Sequence, residues 1–410
     1  MKTLIVIGAL ALAACSGGSG DAVPELSDPP ATSLIAIVGE DGNIMTYDPV
    51  TAVVAPVTAN AGPQRLYSQP TWSPDGTRLA YVENSAPVTG IQASGGFARV
   101  GLSAQQASPG SVHIATVAGG DAVVVTTPFS PFYLYWSPDG SQLAFLGNDL
   151  VNGRQGFGLI DTTTNVAERA DSGQPYYFAW APQSDRLLVH AANSELYYLA
   201  LDGSKQPLSQ IPGSFSAPSW VGSTQLFPVR EGRRQILRLF DEDERARRDA
   251  TDFGDGVALG LSPDEDRVAH ITIDPGANPF ALGPLIVDTP TGAIEIAELA
   301  AAFFWSSDGS QLLYLTPDAA ADEFGLRWNT WDGATSIAFE RFTPSRTFVQ
   351  QYLPFFGQYA NSLTFLSPDA GSFTFAGTIE GRGEGIWVQT IAADTPAELI
   401  GPGRFSTWSP

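Results

Sequence analysis

The sequence predicts an all-β fold, a β-propeller of four-stranded blades, on three observations: a recurring Trp-Ser-Pro-Asp-Gly motif, a blade-like spacing of its copies, and chain ends that supply complementary parts of one blade. Residues 71–81 (TWSPDGTRLAY) and 135–145 (YWSPDGSQLAF) match almost position for position. Weaker copies centre on Trp180, Trp220, Leu261, Trp305 and Leu366, and the chain stops at Trp408-Ser409-Pro410. Successive copies lie 64, 44, 40, 41, 44, 61 and 42 residues apart, so five intervals have blade length and two carry insertions.

The motif has a physical reading. An apolar strand ends at Trp, proline presets φ for the turn, aspartate accepts from nearby backbone N–H groups, and glycine takes the left-handed conformation. A second strand follows with alternating apolar residues. Two further strand-like runs complete each repeat, as at 195–201 and 206–211 around the Asp202-Gly203 turn. Residues 34–38, 43–47 and 53–57 look like the last three strands of a blade, and 405–410 like its first. Pairing them closes the ring and removes its open edges. Eight motif copies predict eight blades, with seven as the alternative.

At the N-terminus, Lys2 followed by the apolar run Leu4–Leu12 reads as a targeting segment, too short to cross a bilayer. It ends in Leu12-Ala13-Ala14-Cys15, which resembles the lipobox of bacterial lipoproteins, so 1–14 are expected to be a lipoprotein signal peptide and Cys15 the lipid attachment point. Cys15 is the only cysteine, which lipidation would explain. Residues 15–32, rich in Gly, Ser and Pro, have tether composition, leaving 33–410 as a single propeller domain. Ser16 after that cysteine suggests outer-membrane sorting where the cell has an outer membrane. The net charge of −22 argues against nucleic acid and against anionic membrane surfaces, and the expectation is a monomer that meets the membrane only through its lipid.

The repeats at Trp72, Trp136 and Trp305 resemble those of TolB-like proteins, a WD-like propeller family with a Trp/Phe-Ser-Pro-Asp-Gly-x-x-Ile/Leu-Ala-Phe pattern. The resemblance covers nearly all of residues 33–410 and implies the propeller fold. It says little about function, because the same repeats occur in TolB, in propellers of prolyl-oligopeptidase-like enzymes and in many bacterial lipoproteins. TolB proteins carry an α/β domain before the propeller, where only the tether is expected here. Prolyl-oligopeptidase-type enzymes carry a Gly-x-Ser-x-Gly elbow that this sequence lacks, so peptidase activity is not expected.

Candidate chemistry is sparse. The repeated Asp75, Asp139, Asp264, Asp308 and Asp369 occupy one turn position and are expected to serve the hairpins. His270 takes the place of Tyr81, Phe145 and Tyr314 and is expected in a blade interface; His190 falls one position later, and His113 precedes a third strand. No metal-ligand or phosphate-loop spacing is present, so no catalytic residue, metal or cofactor is predicted. Residues 241–248 (DEDERARR) read as a solvated rim between third and fourth strands.

Two insertions remain, since propellers bind through loops on their faces. Residues 84–110 are Gly-, Ser- and Ala-rich. Residues 342–361 are dense in aromatics, and Arg346, Phe348, Tyr352, Phe355, Phe356 and Tyr359 form the candidate binding patch. The alternative is that these rings seal the gap between the last two blades. The functional expectation is a non-catalytic, surface-anchored propeller that binds a protein or glycan at the bacterial cell envelope. The lipid would sit at the outer membrane or periplasmic side in a Gram-negative cell, and at the cell surface otherwise. The alternatives are a propeller-type lyase or hydrolase acting at the central channel, and a TolB-like adaptor receiving a partner peptide there.

Overall fold

Serine, aspartate and a left-handed residue lock the same turn at every complete copy of the motif. In the first, Ser73 Oγ donates to Asp75 Oδ1 (2.5 Å), Asp75 Oδ1 accepts from Thr77 N (3.1 Å), and Ser73 Oγ accepts from Arg78 N (2.9 Å). The pattern returns at Ser137–Asp139, Ser306–Asp308 and Ser367–Asp369. Gly76, Gly140 and Gly309 supply the positive φ; in the degenerate copies Ser184, Glu265 and Ala370 are held at φ 61, 62 and 52° instead. The turn thus keeps its shape where the glycine is gone, at the steric cost a Cβ brings to that region.

The computed structural model describes residues 33–84, 110–149, 153–273, 282–318 and 325–410. Residues 1–32, including Cys15, and most of the 84–110 insertion lie outside the described residues. The strands are β1 (Ile35–Val38), β2 (Ile44–Asp48) and β3 (Val53–Pro56); β4 (Leu66–Trp72), β5 (Arg78–Asn84), β6 (Ser111–Thr116) and β7 (Val123–Thr126); β8 (Ser130–Trp136), β9 (Gln142–Asp149), β10 (Arg154–Asp161) and β11 (Val166–Gly173). There follow β12 (Tyr176–Trp180), β13 (Arg186–Ala191), β14 (Glu195–Ala200) and β15 (Lys205–Pro207); β16 (Ser219–Val221), β17 (Thr224–Glu231), β18 (Arg234–Asp241) and β19 (Ala246–Phe253); β20 (Gly256–Leu261), β21 (Val268–Ile273), β22 (Gly283–Thr289) and β23 (Gly292–Ala300). The last are β24 (Ala302–Trp305), β25 (Leu312–Pro317), β26 (Leu326–Trp331), β27 (Ser336–Pro344), β28 (Ser372–Ile379), β29 (Gly383–Thr390), β30 (Glu398–Gly401) and β31 (Phe405–Trp408).

These form six four-stranded sheets and one of seven strands, all antiparallel meanders. The first sheet is composite: β31 pairs with β1 in the register Ile35↔Trp408 to Val38↔Phe405, followed by β2 and β3. The seventh, β24–β30, carries two motif copies, Trp305 and Leu366, and the strand pairing between its halves is confined to Thr343↔Thr378 and Pro344↔Gly377. His113 lies within β6 rather than before it, and residues 241–248 span the turn between β18 and β19 as expected.

The first strand of each sheet is central and buried, whereas fourth strands such as β3 and β15 are exposed along their whole length. Antiparallel order then fixes two faces. The motif turns and the third-to-fourth-strand turns share one, here the turn face. The second-to-third-strand hairpins and the crossings between sheets share the other, the loop face.

Motif tryptophans tie neighbouring sheets together. Trp136 Nε1 donates to Thr71 O (3.0 Å), Trp180 Nε1 to Tyr135 O (3.2 Å) and Trp305 Nε1 to Gly260 O (3.4 Å), in each case the carbonyl just before the preceding motif's key residue. Trp72 Nε1 makes the same bond to Thr407 O (3.3 Å), so the closing seam repeats the internal ones. Arg78 adds a bond to Gly140 O (2.8 Å) while its guanidinium lies 4.6 Å over the Trp136 ring, and Arg267 does likewise with Gly309 O and Trp305.

Closure should therefore dominate stability. Removing residues 404–410 takes away an inner strand with buried Phe405 and Trp408, and is expected to lower the thermal midpoint by roughly 10 °C or more. An unchanged midpoint in calorimetry would rule out this closure.

Candidate functional site

Residues 345–361 leave the loop-face end of β27 and turn into the centre of the ring. They form a π-helical turn (Phe348–Tyr352), a 3-10 turn (Leu353–Phe355) and one short helix, α1 (Phe356–Tyr359). The segment carries a single charge, Arg346, and seven aromatic or aliphatic side chains from Phe348 to Tyr359. Such a stretch gains by burial, and the space enclosed by the inner strands is where it goes.

Its contacts run round the whole ring. Tyr352 stacks on Phe405 of β31 with centroids 3.8 Å apart, and Phe356 meets Phe303 of β24 edge-on at 5.5 Å. Tyr359 packs against Tyr133 of β8, and its hydroxyl donates to Gln69 Oε1 of β4 (3.0 Å). Asn361 Nδ2 donates to Pro218 O, just before β16 (3.1 Å), and α1 also touches β20.

Gln358 is the most fully bonded member. Its Oε1 accepts from Phe178 N (2.9 Å), and its Nε2 donates to Phe178 O (2.9 Å) and to Tyr133 Oη (3.0 Å). Tyr133 Oη donates in turn to Gln358 O (3.1 Å). The amide thus acts as a short piece of strand, pairing both backbone groups on the free inner edge of β12. Burial pushes the Tyr133, Tyr352 and Tyr359 hydroxyls well above the usual tyrosine range, so they stay neutral hydrogen-bonding groups.

The six candidate patch residues are brought together, but four of them face inward. Phe348, Tyr352, Phe356 and Tyr359 are buried in the central plug and are not presented to a partner. Phe348 packs on Trp328 and Phe365, and the others reach across the ring rather than between the last two blades. Arg346 is exposed and Phe355 half-buried at the loop-face mouth, with Gln350 and Pro354 exposed beside them. Among the described residues Arg346 has no hydrogen-bond or ion-pair partner. Sequence reasoning missed Gln358, Gln69 and Tyr133; the signal was available in the near absence of charge between Phe348 and Tyr359, which does not suit a solvated loop.

The same face carries an open groove of about 520 Å³ lined by Asn60, Gly62, Pro63, Gln64, Arg65 and Glu83. Glu83 lies between Arg65 Nε (3.2 Å) and His113 Nε2 (3.0 Å), His113 stacks on Tyr81, and Tyr67 Oη donates to Asn60 Oδ1 (2.7 Å). Burial lowers the His113 pKa against the pull of Glu83.

The motif aspartates are spread over separate turns. Burial raises the Asp139 pKa, but hydrogen bonds from Ser137 and Ser141 more than offset it; Ser367 and the Gly371 N–H hold Asp369 low in the same way. Among the described residues no three His, Cys, Asp or Glu side chains are grouped to hold a metal, and no helix is long and apolar enough to cross a membrane.

No protein-family model matches the chain, and no curated protein sequence is significantly similar. Among solved structures, one from an analysis of two prolyl endopeptidases superposes with a TM-score of 0.51 at 13% identity, covering 85% of this chain and 50% of that one. The β-propeller domain of the Trilobed protease from Pyrococcus furiosus gives 0.47 at 12% identity, covering 83% and 98%. TolB from Acinetobacter baumannii gives 0.41 at 15% identity, covering 75% and 76%.

Two outcomes follow from the buried polar groups. Gln358→Ala would leave Phe178 N–H and Phe178 C=O unpaired, with Tyr133 Oη keeping only its bond to the residue-358 carbonyl, and is expected to cost about 3 kcal/mol of stability in denaturant titration. Burial also lowers His190 and His270 to about 4. Both stay neutral in the fold while the unfolded chain takes up protons below about 6.5, so stability falls as pH drops from about 6.5 to 4, by about 3 kcal/mol per histidine. His270→Phe, the residue type of Phe145 at the equivalent place, should flatten part of that slope in melts across this range.

The likeness at 13% identity concerns the fold alone, and with the closed ring of meander sheets it makes the chain a β-propeller.

Proposed function

We propose that this chain is an exported, lipid-anchored, non-catalytic propeller of eight blades that binds a protein or glycan partner at the bacterial cell envelope. In this reading residues 1–14 are the signal peptide, Cys15 carries the lipid, 15–32 are the tether and 33–410 the binding body, which acts as a monomer. The observation that carries the non-catalytic reading is the occupied centre of the ring. A lyase or hydrolase at the channel needs carboxylates or a metal where Tyr352, Gln358 and Tyr359 now sit, and an adaptor that takes up a partner's peptide needs the same space.

The partner then meets the loop face. That face holds the exposed Arg346 guanidinium with Phe355, and the groove at Asn60–Arg65, whose amides and ion pair suit a hydroxyl- or amide-rich ligand. The chain enters the ring on the opposite face, where Leu34 N donates to Ser409 Oγ (3.0 Å) and Ser409 N to Leu34 O (2.7 Å). An anchor at Cys15 therefore leaves the loop face turned outward.

Affinity capture from the cell's own envelope fraction tests the binding reading. Arg346→Glu is expected to reduce recovery of the partner at least about fivefold, the exchange of attraction for repulsion at an exposed charge, with an unchanged thermal midpoint. Conversion of a captured glycan to shorter products by the purified protein would contradict it. Mass spectrometry of the mature N-terminus should find an acylated Cys15; an unmodified chain beginning after residue 15 would remove the anchor.

A further inference from the structure

Eleven large aliphatic side chains are exposed among the described residues, and they are not scattered. Nine sit in the third-to-fourth-strand turns or at the adjoining ends of the fourth strands, which is the turn-face rim; only Ile211 and Leu299 do not. Most of the nine also fall on consecutive sheets. Leu399 of β30, Val50, Val53 and Val54 at β3, and Val123 and Val124 of β7 form an arc centred on the composite first sheet, the one through which the chain enters the ring.

From this arc we infer that the propeller rests on its turn-face rim against a lipid bilayer, with the turn-face ends of β3 and β7 at the interface and the loop face tilted away. The inference rests on the proposal that Cys15 is the anchor. Cys15 lies 18 positions before Ser33, and a linker of that length spans about 25 Å as a coil, so the first sheet is held within reach of the bilayer. Isolated exposed valines need no explanation, but an apolar arc at the point of tethering is the feature of an interfacial contact. A strand of another chain is the competing occupant, and Pro49 and Pro56 bracket β3 against it: Pro56, its last residue, offers no N–H for pairing. Asp48 and Asp121 border the arc, so the bilayer it fits is zwitterionic rather than anionic.

The test uses the full chain coupled through its single cysteine, Cys15, to maleimide lipids in phosphatidylcholine vesicles that also contain a photoreactive phosphatidylcholine. After illumination, peptides spanning 50–56 and 123–126 should carry several-fold more lipid adducts than the exposed loop-face peptide 60–65. The triple variant Val53→Asn, Val54→Asn, Val124→Asn should remove most of that excess with an unchanged thermal midpoint. Equal labelling of both faces, or no adducts on β3 and β7, overturns the contact, as does cross-linking of β3 to β3 in the uncoupled protein. Chemical coupling fixes the tether whether or not the cell acylates Cys15. A failure of the anchor proposal therefore shows in the N-terminal mass spectrum and leaves this readout intact.

Discussion

An inner strand of a closed ring is hydrogen-bonded along one edge only, and the backbone groups on its other edge face the centre, where water is scarce and unpaired N–H and C=O groups are costly. Much of this structure answers that constraint. The side-chain amide of Gln358 pairs both groups of Phe178, Asn361 covers Pro218 O, and Trp408 N donates to Thr364 O (2.7 Å) as the chain leaves the plug. The aromatics around these bonds exclude water and join inner strands from separate sheets. The plug is therefore a part of the ring's core that happens to be encoded as an insertion.

The outer architecture was legible because each of its devices is local. Ser, Asp and Gly at fixed offsets build a turn from neighbouring atoms, so Ser73-Pro74-Asp75-Gly76 could be read without knowing what lay beside it. The composite first sheet was legible too, because 34–57 and 405–410 are the complementary fractions of one repeat. The Trp72 bond to Thr407 O then showed why the join holds: it is the seam bond that Trp136, Trp180 and Trp305 make inside the ring.

The plug was not legible, and for a physical reason. Phe348, Tyr352, Phe356 and Tyr359 have a spacing that suits a helical turn, but the surface they cover is assembled from Gln69, Tyr133, Phe178, Phe303 and Phe405, scattered along the chain between positions 69 and 405. A run of aromatics in a loop position reads equally as an exposed patch or as filling, and only the closed ring decides. His190 and His270 show the same limit: sequence placed them on strands, whereas the depression of their pKa comes from neighbours supplied by the fold.

The division of labour between the faces follows. Motif turns and the chain's entry occupy one face, while the plug's mouth with Arg346 and the Asn60–Arg65 groove occupy the other, so the scaffold separates attachment from recognition. The central claim is that the plug fills the channel as core. Native-state hydrogen exchange tests it most directly, at the amides of Val349, Ala360 and Leu363, which bond to Ser345, Phe356 and Tyr359 carbonyls. The account expects them to exchange only with global unfolding, as slowly as the first strands. Exchange at free-peptide rates while those strands stay protected would contradict it and reopen the channel as a site.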